Sequence, residues 1–417
     1  MSPSSKRRDG SPRSGDPARP PRTVGIEEEL LLVDARTLAP VPVAGRIVRA
    51  AAADDRDPLL FPALEFEAKQ EQIEVVSPPL TTVEEIVATV RRGREAADAA
   101  ARTVGARAVA LATGTVAFES HLAPVPRYRR MQERFGITMT EQFTCGLHVH
   151  VAIRSADEGV AVLDRIRPWL PVLLAISANS PLLQGVDTGY ASYRYQAWSR
   201  WPSAGAYEVF GSAGAYDGAT EAMLNTGVSL DAGMIYSDAR LSRHAPTVET
   251  RIMDVCLRAE ESAALAVITR ALVSTAAEQW RGGVPADPVP TALLRLASWR
   301  ASRSGLDDVL LDPRTHVPVP AAAAVRALLD HVRGRFADEA EERFALDVVQ
   351  QVLIGGTGAA RQRGVLAAGG SREDLIAAAA RETTAAPPAT SERRRPRPRT
   401  RGAPRSPGRV ADLPAGG

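Results

Sequence analysis

The sequence predicts an α+β fold that is built on a sheet with one polar face. Two observations support this prediction. Five segments are rich in β-branched residues or alternate apolar and polar side chains, as strands do, and helical segments lie between them. Acidic side chains and histidines occur among apolar neighbours within several of these strands. One face of the sheet is therefore expected to pack against helices, and the other to carry the polar groups.

The predicted elements follow one another along the chain. The predicted strands cover residues 23–33, 72–77, 106–111, 144–153 and 247–253. The predicted helices cover residues 83–101, 157–177 and 258–282, and residues 290–382 are mainly helical. Thr82 and Glu85 are typical of a capping box at the start of the first helix, whose apolar residues then follow a 3.6-residue spacing.

Charge divides the chain into three parts. The formal net charge is +2, but residues 1–22 carry +4 and residues 384–417 carry +6, which leaves −8 on residues 23–383. Both ends are rich in Pro, Ser, Gly and Arg and cannot bury enough apolar area to offset their ordering entropy. We therefore expect a disordered basic tail, one folded domain over residues 23–383, and a disordered Arg/Pro-rich tail. The acidic domain argues against nucleic-acid binding.

Composition also excludes several classes of protein. Lys6 and Lys69 are the only lysines, so the chain has no Walker-type phosphate loop, and pyridoxal chemistry would depend on Lys69 alone. Cys145 and Cys256 are too few for a disulfide framework, which favours a reducing cytoplasm. The longest apolar stretch, around residues 169–176, is too short to span a membrane. We expect a cytoplasmic protein without a membrane segment.

The strongest local signal is three consecutive glutamates in the first strand. Because alternate side chains of a strand share a face, Glu27 and Glu29 are expected to point together and Glu28 to the other side. A positive group that joins the two carboxylates would explain the pair, and an edge strand with an acidic outer face is the alternative explanation. For this pair alone, the two explanations are equally good.

Other segments add carboxylates. Glu67 and Glu74 lie in or near the second strand, and Glu249, Arg251 and Met253 occupy alternate positions that predict a shared face. If the carboxylates converged, each pair about 4 Å apart would repel by about 4 kcal/mol at an effective dielectric constant near 20. Bound divalent cations would remove this repulsion, and oxygen ligands favour Mg²⁺ or Mn²⁺ over zinc.

Two histidines share one face of the strand at residues 144–153. His148 and His150 could chelate a metal or contact a phosphate, and buried, satisfied histidines are equally common. They raise the alternative of a zinc hydrolase of the amidohydrolase type. A Cys145–His148 nucleophile pair is disfavoured because residues three apart on a strand face opposite sides.

Arginine must take the phosphate-binding role in a chain with so few lysines. Arg194 and Arg200 alternate with aromatic residues, which suits the stacking of an adenine or the clamping of a carboxylate. Arg361 and Arg363 follow a glycine-rich segment at a predicted helix start, where an anion could bind. An ordinary packed loop is the alternative for the aromatic segment.

Taken together, these segments resemble the carboxylate–amine ligase family, the bacterial type-2 glutamate–cysteine ligases. The matching strings are VGIEEE at 24–29, QIEVVS at 72–77, GLHVHV at 146–151, NSP at 179–181, RWP at 200–202 and VETR at 248–251. They occur in family order across most of the folded domain. The resemblance implies a glutamine-synthetase-like fold, with an antiparallel sheet curved into a funnel and backed by helices.

The resemblance also implies a function and a site. The implied reaction is ATP-dependent amide-bond formation through an acyl phosphate, typically between L-glutamate and L-cysteine, with Mg²⁺ or Mn²⁺, in a catalytic domain at 23–383 that forms a homodimer. The implied metal ligands are Glu27, Glu29, Glu67, Glu74, His148 and Glu249. Glu249 and Arg251 are the catalytic candidates, and the ATP-binding candidates are Arg194, Arg200, Arg361 and Arg363. An amidohydrolase and a non-catalytic nucleotide-binding relative are the alternatives.

Overall fold

A seven-stranded antiparallel sheet is the central feature of the computed structural model, which describes residues 20–51 and 62–385. Within these residues the strands are β1 (Val24–Asp34), β2 (Ala63–Phe66), β3 (Gln72–Val76), β4 (Ala106–Val109), β5 (Gly146–Ala152), β6 (Leu182–Leu183), β7 (Val186–Asp187), β8 (Ala239–Leu241), β9 (Thr247–Asp254), β10 (Val309–Leu311) and β11 (Pro318–Pro320). The order in the main sheet is β2-β3-β1-β5-β9-β8, and β4 also pairs with β1. The remaining strands form two two-stranded sheets, β6–β7 and β10–β11.

Helices account for most of the other secondary structure. In the described residues they are α1 (Ala44–Ala51), α2 (Val83–Arg102), α3 (Pro126–Phe135), α4 (Ile137–Glu141), α5 (Ala156–Ile166), α6 (Leu170–Ser177), α7 (Tyr193–Trp198), α8 (Ala213–Asn225), α9 (Ala259–Arg281), α10 (Thr291–Ser304), α11 (Ala321–Val332), α12 (Glu339–Gly355), α13 (Gly358–Ala367) and α14 (Arg372–Thr383). α9 packs against β5, α2, α5 and α12, and its alanine-rich surface is buried almost all round, as expected of a helix at the centre of a core. No helix among the described residues is long and apolar enough to cross a membrane.

The length of β1 explains its central place. Its first half pairs with β5, its middle with β3, and its end with β4. Leu31 lies opposite both Gln72 of β3 and Val109 of β4, so these two strands flank it on different sides. β1 therefore connects every part of the sheet, and side chains on β1 are held by neighbours on both sides.

Most of the predicted elements are confirmed. All five predicted strands are present, and the capping box of Thr82 and Glu85 begins α2 as predicted. The single helix predicted over residues 157–177 is wrong, because α5 and α6 are separated by a 3₁₀ turn at Arg167–Trp169. Pro168 lies in that turn and lacks the N–H that would continue the helical hydrogen bonds.

A β-bulge changes the predicted face of one residue. Leu147 of β5 lies opposite Met253 of β9, but Val149 lies opposite Thr250, so β9 has one extra residue between these pairs. Beyond the bulge the alternation is reversed, and Met253 is buried in the helix-side core. The prediction that Met253 shares a face with Glu249 is therefore wrong.

The predicted tails fall mostly outside the described residues. Residues 1–19 and 386–417 of the two predicted tails are not described, so their predicted disorder stays a prediction. Arg22, which the prediction placed in the first tail, donates to the Ala152 carbonyl at 2.6 Å and pairs with Glu158 at 2.7 Å. The folded domain therefore begins before residue 23.

Candidate active site

The acidic face of the sheet is assembled around β1. Glu29 lies opposite Glu74 of β3, and Glu27 lies opposite His148 of β5. Because directly opposite residues in an antiparallel pair point to the same side, these four side chains share one face. The strand register alone therefore brings three carboxylates and an imidazole together.

The other face of β1 is tied to the helices by a buried ion pair. Glu28 points toward α2, where its Oε1 lies 2.6 Å from Nη2 of Arg94. Arg94 is fully buried and also donates to the carbonyls of Cys256 and Leu257, at 2.8 and 3.0 Å. The predicted division of Glu27, Glu28 and Glu29 between two faces is confirmed.

Glu27 lies between two imidazoles. Its Oε2 is 3.0 Å from Nδ1 of His148, and its Oε1 is 3.1 Å from Nε2 of His150. Burial acts to raise the pKa of Glu27, but hydrogen bonds with His148 and His150 lower that pKa well below its usual range. Glu27 is therefore an ionised carboxylate, and each of its two oxygens contacts one histidine.

The pKa values of Glu67 and Glu74 shift in the opposite direction. Burial, together with the charge of Glu29, raises the pKa of Glu67 to about 8. Burial, together with the charge of Glu27, raises the pKa of Glu74 well above its usual value. The site thus holds more carboxylates than its own cations neutralise, which is the situation that a bound divalent cation relieves.

Two arginines flank Glu249, Arg251 on its own strand β9 and Arg240 on the neighbouring strand β8. Nε of Arg240 on β8 lies 2.7 Å from Oε2 of Glu249, and Arg251 pairs with the other oxygen. Burial acts to raise the pKa of Glu249, but the charges of Arg251 and Arg240 lower that pKa below its usual range. Nε of Arg251 is buried and has no hydrogen-bond partner among the described residues.

Two adjoining cavities open on this face. The smaller, about 170 Å³, is lined by Glu27, Glu29, Glu67, Glu74, His148 and Arg251 together with aromatic and amide side chains. The larger, about 470 Å³, is lined by Glu27, His150, Arg240, Glu249 and Arg251 on the sheet and by apolar residues at its edges. Glu27 and Arg251 line both cavities, so a ligand in either one can contact the same two charged groups.

The donor set fits hard divalent cations. Two groups of three side chains have ligand atoms within 4.8 Å of one another, and they are Glu27, Glu74 and His148, and Glu27, His150 and Glu249. Nε2 of His148 is buried and has no hydrogen-bond partner in the described part of the chain. Three carboxylates supply most of the ligand atoms, which suits Mg²⁺ or Mn²⁺, and Glu27 belongs to both groups.

Aromatic side chains form the wall of the smaller cavity opposite the sheet. Trp198, Trp201 and Tyr236 line it and pack on one another, with ring centroids 4.8–6.4 Å apart. The ring of Trp198 lies 5.9 Å from the guanidinium carbon of Arg194 and also 5.9 Å from that of Arg251. This packing holds the Arg251 side chain in place at the boundary between the cavities.

Comparison with known proteins identifies the family. The model of glutamate–cysteine ligase family 2 (GCS2) matches residues 23–382. The chain belongs to this family. It is therefore an ATP-dependent ligase that forms carbon–nitrogen bonds, and the resemblance predicted from the sequence is confirmed. The amidohydrolase alternative is not supported.

Curated relatives of this family 2 ligase are similar over nearly their full length. A protein of Paenarthrobacter aurescens (strain TC1), provisionally named glutamate–cysteine ligase 2-1, is 50% identical over 344 residues, which cover 82% of this chain and 90% of the relative. A protein of Streptomyces coelicolor, provisionally named glutamate–cysteine ligase 2, is 45% identical over 83% of this chain and 94% of its own.

Solved structures share the fold of the ligase. The glutamate–cysteine ligase of Francisella tularensis, in complex with AMP, has a TM-score of 0.58 at 12% identity and covers 89% of this chain and 91% of its own. A bifunctional glutathione synthetase of Pasteurella multocida has a TM-score of 0.62 at 14% identity over 87% of this chain and 52% of its own. The predicted fold class, with an antiparallel sheet backed by helices, is confirmed.

The ligase does not bring the four predicted ATP-binding arginines to its acidic face. Arg194 is buried behind β9, where it donates to the carbonyls of Arg251 and Ile252 at 3.2 and 3.3 Å. Arg200 pairs with Glu141 at 2.8 Å near the surface. Arg194 is hydrogen-bonded to backbone carbonyls and Arg200 is paired with a carboxylate, and neither side chain lines the two cavities.

The arginines after the glycine-rich segment are also engaged elsewhere. On α13, Arg361 pairs with Glu261 at 2.7 Å and Arg363 pairs with Asp187 at 2.7 Å. Neither lines the acidic cavities. Both guanidinium groups pair with carboxylates of other elements, and the anion site at this helix start stays a prediction.

Sequence reasoning missed three residues of the site. His150 lies in the predicted strand beside His148 but is not among the implied metal ligands, and no sequence pattern points to Arg240 or Arg127. Arg240 lies in a strand of only three residues, which leaves no periodic pattern to detect. The position of His150 opposite Glu249 could have been found only from the pairing of β5 with β9.

Cys145 is not a nucleophile in this arrangement. Its thiol is fully buried and accepts a hydrogen bond from Nε2 of Gln72 at 3.4 Å. Burial raises the pKa of this thiol well above its usual value, so the reactive thiolate is disfavoured. The buried, hydrogen-bonded thiol agrees with the prediction that a Cys145–His148 nucleophile pair is disfavoured.

Proposed function

We propose that this ligase joins the side-chain carboxylate of L-glutamate to an amine, with L-cysteine as the acceptor, and so forms γ-glutamylcysteine, ADP and phosphate from ATP. One observation carries the proposal. Two adjoining cavities share Glu27 and Arg251, so a phosphate donor in one cavity and a carboxylate in the other would meet at the same charged groups.

The larger cavity suits the nucleotide. Ile26, Val76, Pro79 and Pro246 give it apolar edges against which a base can pack, and its volume of about 470 Å³ lies within the usual range for ligand sites. The triphosphate would extend toward Arg240 and Arg251. The smaller cavity, with Arg127 and Arg251 among the carboxylates, would then hold the amino-acid substrates.

The acidic face suits two divalent cations, which we propose to be Mg²⁺ or Mn²⁺. Glu27, Glu74 and His148 would hold one, and Glu27, His150 and Glu249 the other. When bound, such ions neutralise phosphate charge and align the γ-phosphate with the attacking carboxylate. The predicted ligand Glu29 accepts a hydrogen bond from the Gly146 N–H at 2.7 Å and lies in neither group.

The reaction would proceed in two steps. A glutamate carboxylate oxygen attacks the γ-phosphorus of ATP, the bond to ADP breaks, and an acyl phosphate forms beside Arg251. The neutral amine then attacks the acyl carbon, phosphate leaves, and the nitrogen loses a proton. Glu67 lines the smaller cavity and belongs to neither metal-compatible group, so its carboxylate is placed to accept that proton.

ADP release with a panel of amines tests the proposal. Purified protein is given ATP, MgCl₂ and L-glutamate, and each amino acid or simple amine is added in turn, with the product identified by mass spectrometry. We expect ADP release that requires both glutamate and the amine, with a γ-glutamyl product of matching mass. Binding of ATP without amine-dependent ADP release would support the non-catalytic alternative instead.

Two further predictions belong to this proposal. The family resemblance implies a homodimer, which light scattering on the purified full chain would measure as about twice the chain mass of 44.4 kDa. The cytoplasmic location follows from the cysteine count and is testable by cell fractionation.

A further inference from the structure

A third cavity has the opposite charge to the acidic site. It has a volume of about 270 Å³ and lies where the described chain begins, between α9 and the loop before α12. Five arginines line it, and they are Arg22, Arg154, Arg270, Arg281 and Arg335. Glu278 is the one carboxylate in this lining within the described residues. The cavity is therefore built mainly from guanidinium groups.

α9 forms the base of the cavity. Arg270, Ser274, Glu278 and Arg281 are spaced four, four and three residues apart, so they lie along one face of this helix. Arg270 is only 2% exposed. It pairs with Glu341 of α12, and its Nε is buried without a hydrogen-bond partner among the described residues.

The carboxylates around the cavity do not neutralise all five arginines. Arg22 pairs with Glu158, Arg270 with Glu341, and Arg335 with Glu278 at 2.6 Å. Arg154 and Arg281 have no carboxylate oxygen within 4.0 Å in the described part of the chain. Five arginines against three carboxylates leave an excess of two positive charges at the cavity.

We propose that this cavity binds a small anion that carries a phosphate group. The guanidinium fork matches phosphate oxygens in a bidentate way, and two unneutralised arginines match the charge of a phosphate dianion. The volume leaves space for a small organic part beside the phosphate. Because no carboxylate cluster lines the cavity, binding here requires no divalent cation, unlike phosphate binding on the acidic face.

The chain's own first residues are not a suitable occupant. Residues 1–19 carry five basic and two acidic side chains, so the cavity would repel them on average. The positive charge of the cavity therefore favours an anionic ligand from solution as its occupant.

Calorimetric titration of the full chain in EDTA tests this site. Inorganic phosphate, pyrophosphate and glycerol phosphate are titrated into wild type and into the double variant Arg154→Gln/Arg281→Gln. Both side chains are exposed, so the variant is expected to fold normally, which circular dichroism checks. Arg326→Gln, an exposed arginine of α11, is the matched surface control. Arg240→Gln removes an arginine of the larger acidic-face cavity.

We expect saturable binding without metal that weakens by at least about tenfold in the double variant and is unchanged in Arg326→Gln. The ranking of the three anions then shows whether free phosphate or a phosphate ester is preferred. Equal binding by the double variant would overturn the proposal. So would binding that requires Mg²⁺ and is lost in Arg240→Gln, or the absence of saturable binding by all three anions.

Discussion

Among single residues, Glu27 has the most connections in the site. It lies within about 3 Å of two imidazoles, belongs to both metal-compatible groups and lines both cavities of the acidic face. The alternation rule was sufficient to predict that Glu27 and Glu29 share a face. It could not predict which arginines remain free, because the pairing of Arg361 with Glu261 joins residues 100 positions apart.

Glu27→Gln is expected to lower amine-dependent ADP release by at least about 100-fold, because a neutral amide removes the charge shared by both metal groups. The fold should persist, since the strand pairing of β1 uses only its backbone. Glu65→Gln is the matched control, because Glu65 lies opposite Glu74 on β2 but is exposed and lines neither cavity. Equal ADP release by Glu27→Gln and wild type would contradict the metal assignment.

The pKa of Glu67 predicts how the stability of the metal-free protein depends on pH. Burial and Glu29 raise this pKa from 4.5 to about 8, so between these values the folded chain keeps a proton that the unfolded chain has lost. This contribution is fully present below about pH 4.5 and is lost as the pH rises through about 8. In EDTA, Glu67→Gln should therefore gain stability relative to wild type as the pH rises from 5 to 8.

Thermal unfolding of the two proteins at several pH values provides the measurement. Mg²⁺ should raise the unfolding temperature of wild type more at pH 8 than at pH 6, because the ion favours ionised carboxylates. A constant difference between variant and wild type across this pH range would show that Glu67 does not keep the extra proton.

Among the secondary-structure elements, the long strands were predictable and most of the shortest were not, although the four-residue β4 was predicted. β1, β5 and β9 have seven residues or more and show a clear pattern, whereas β2 and β8 have four and three. Such short strands are held by their neighbours and not by local preference. The bulge in β9 was also unpredictable. The extra residue turns Met253 to the other face of the sheet, but the residue types in β9 do not show where it lies.

The ion pair of Glu28 and Arg94 joins the sheet to α2. Glu28→Ala should destabilise the protein by about 3–5 kcal/mol, because it leaves a fully buried guanidinium without its counter-charge. The double variant Glu28→Ala/Arg94→Leu removes both charges and should recover most of this loss. Urea unfolding of the three proteins gives the comparison. A single variant as stable as the double variant would rule out the buried pair as the cause.

Across the whole molecule, the described residues contain every side chain of the proposed active site. The match to the family spans residues 23–382, and the acidic cavities, the aromatic wall and the helical layer all lie within it. The basic residues at both ends raise the net charge of a domain that is otherwise acidic. Composition alone predicts these parts, because charge and proline content change abruptly at their boundaries, and the division stays a prediction.

Removal of residues 1–19 and 386–417 should leave kcat/KM for ATP within about twofold, because described residues supply the side chains that line the two acidic cavities. Extending the N-terminal deletion through Arg22 should instead lower the unfolding temperature, because it removes the ion pair with Glu158 and the hydrogen bond to Ala152. Steady-state kinetics and thermal unfolding of the two truncated forms make the comparison. A large loss of activity in the shorter deletion would assign the ends a role in catalysis.

The position of Trp198 allows its intrinsic fluorescence to report ligand binding. Its indole ring lies at equal distances from two guanidinium groups, one engaged by the backbone of β9 and the other exposed to both cavities. A ligand that draws Arg251 toward its own charge changes the electric field on that ring, and the wavelength of indole emission responds to such fields. Only four other tryptophans contribute background, so substrate occupancy can be followed by intrinsic fluorescence, without labels or coupled assays.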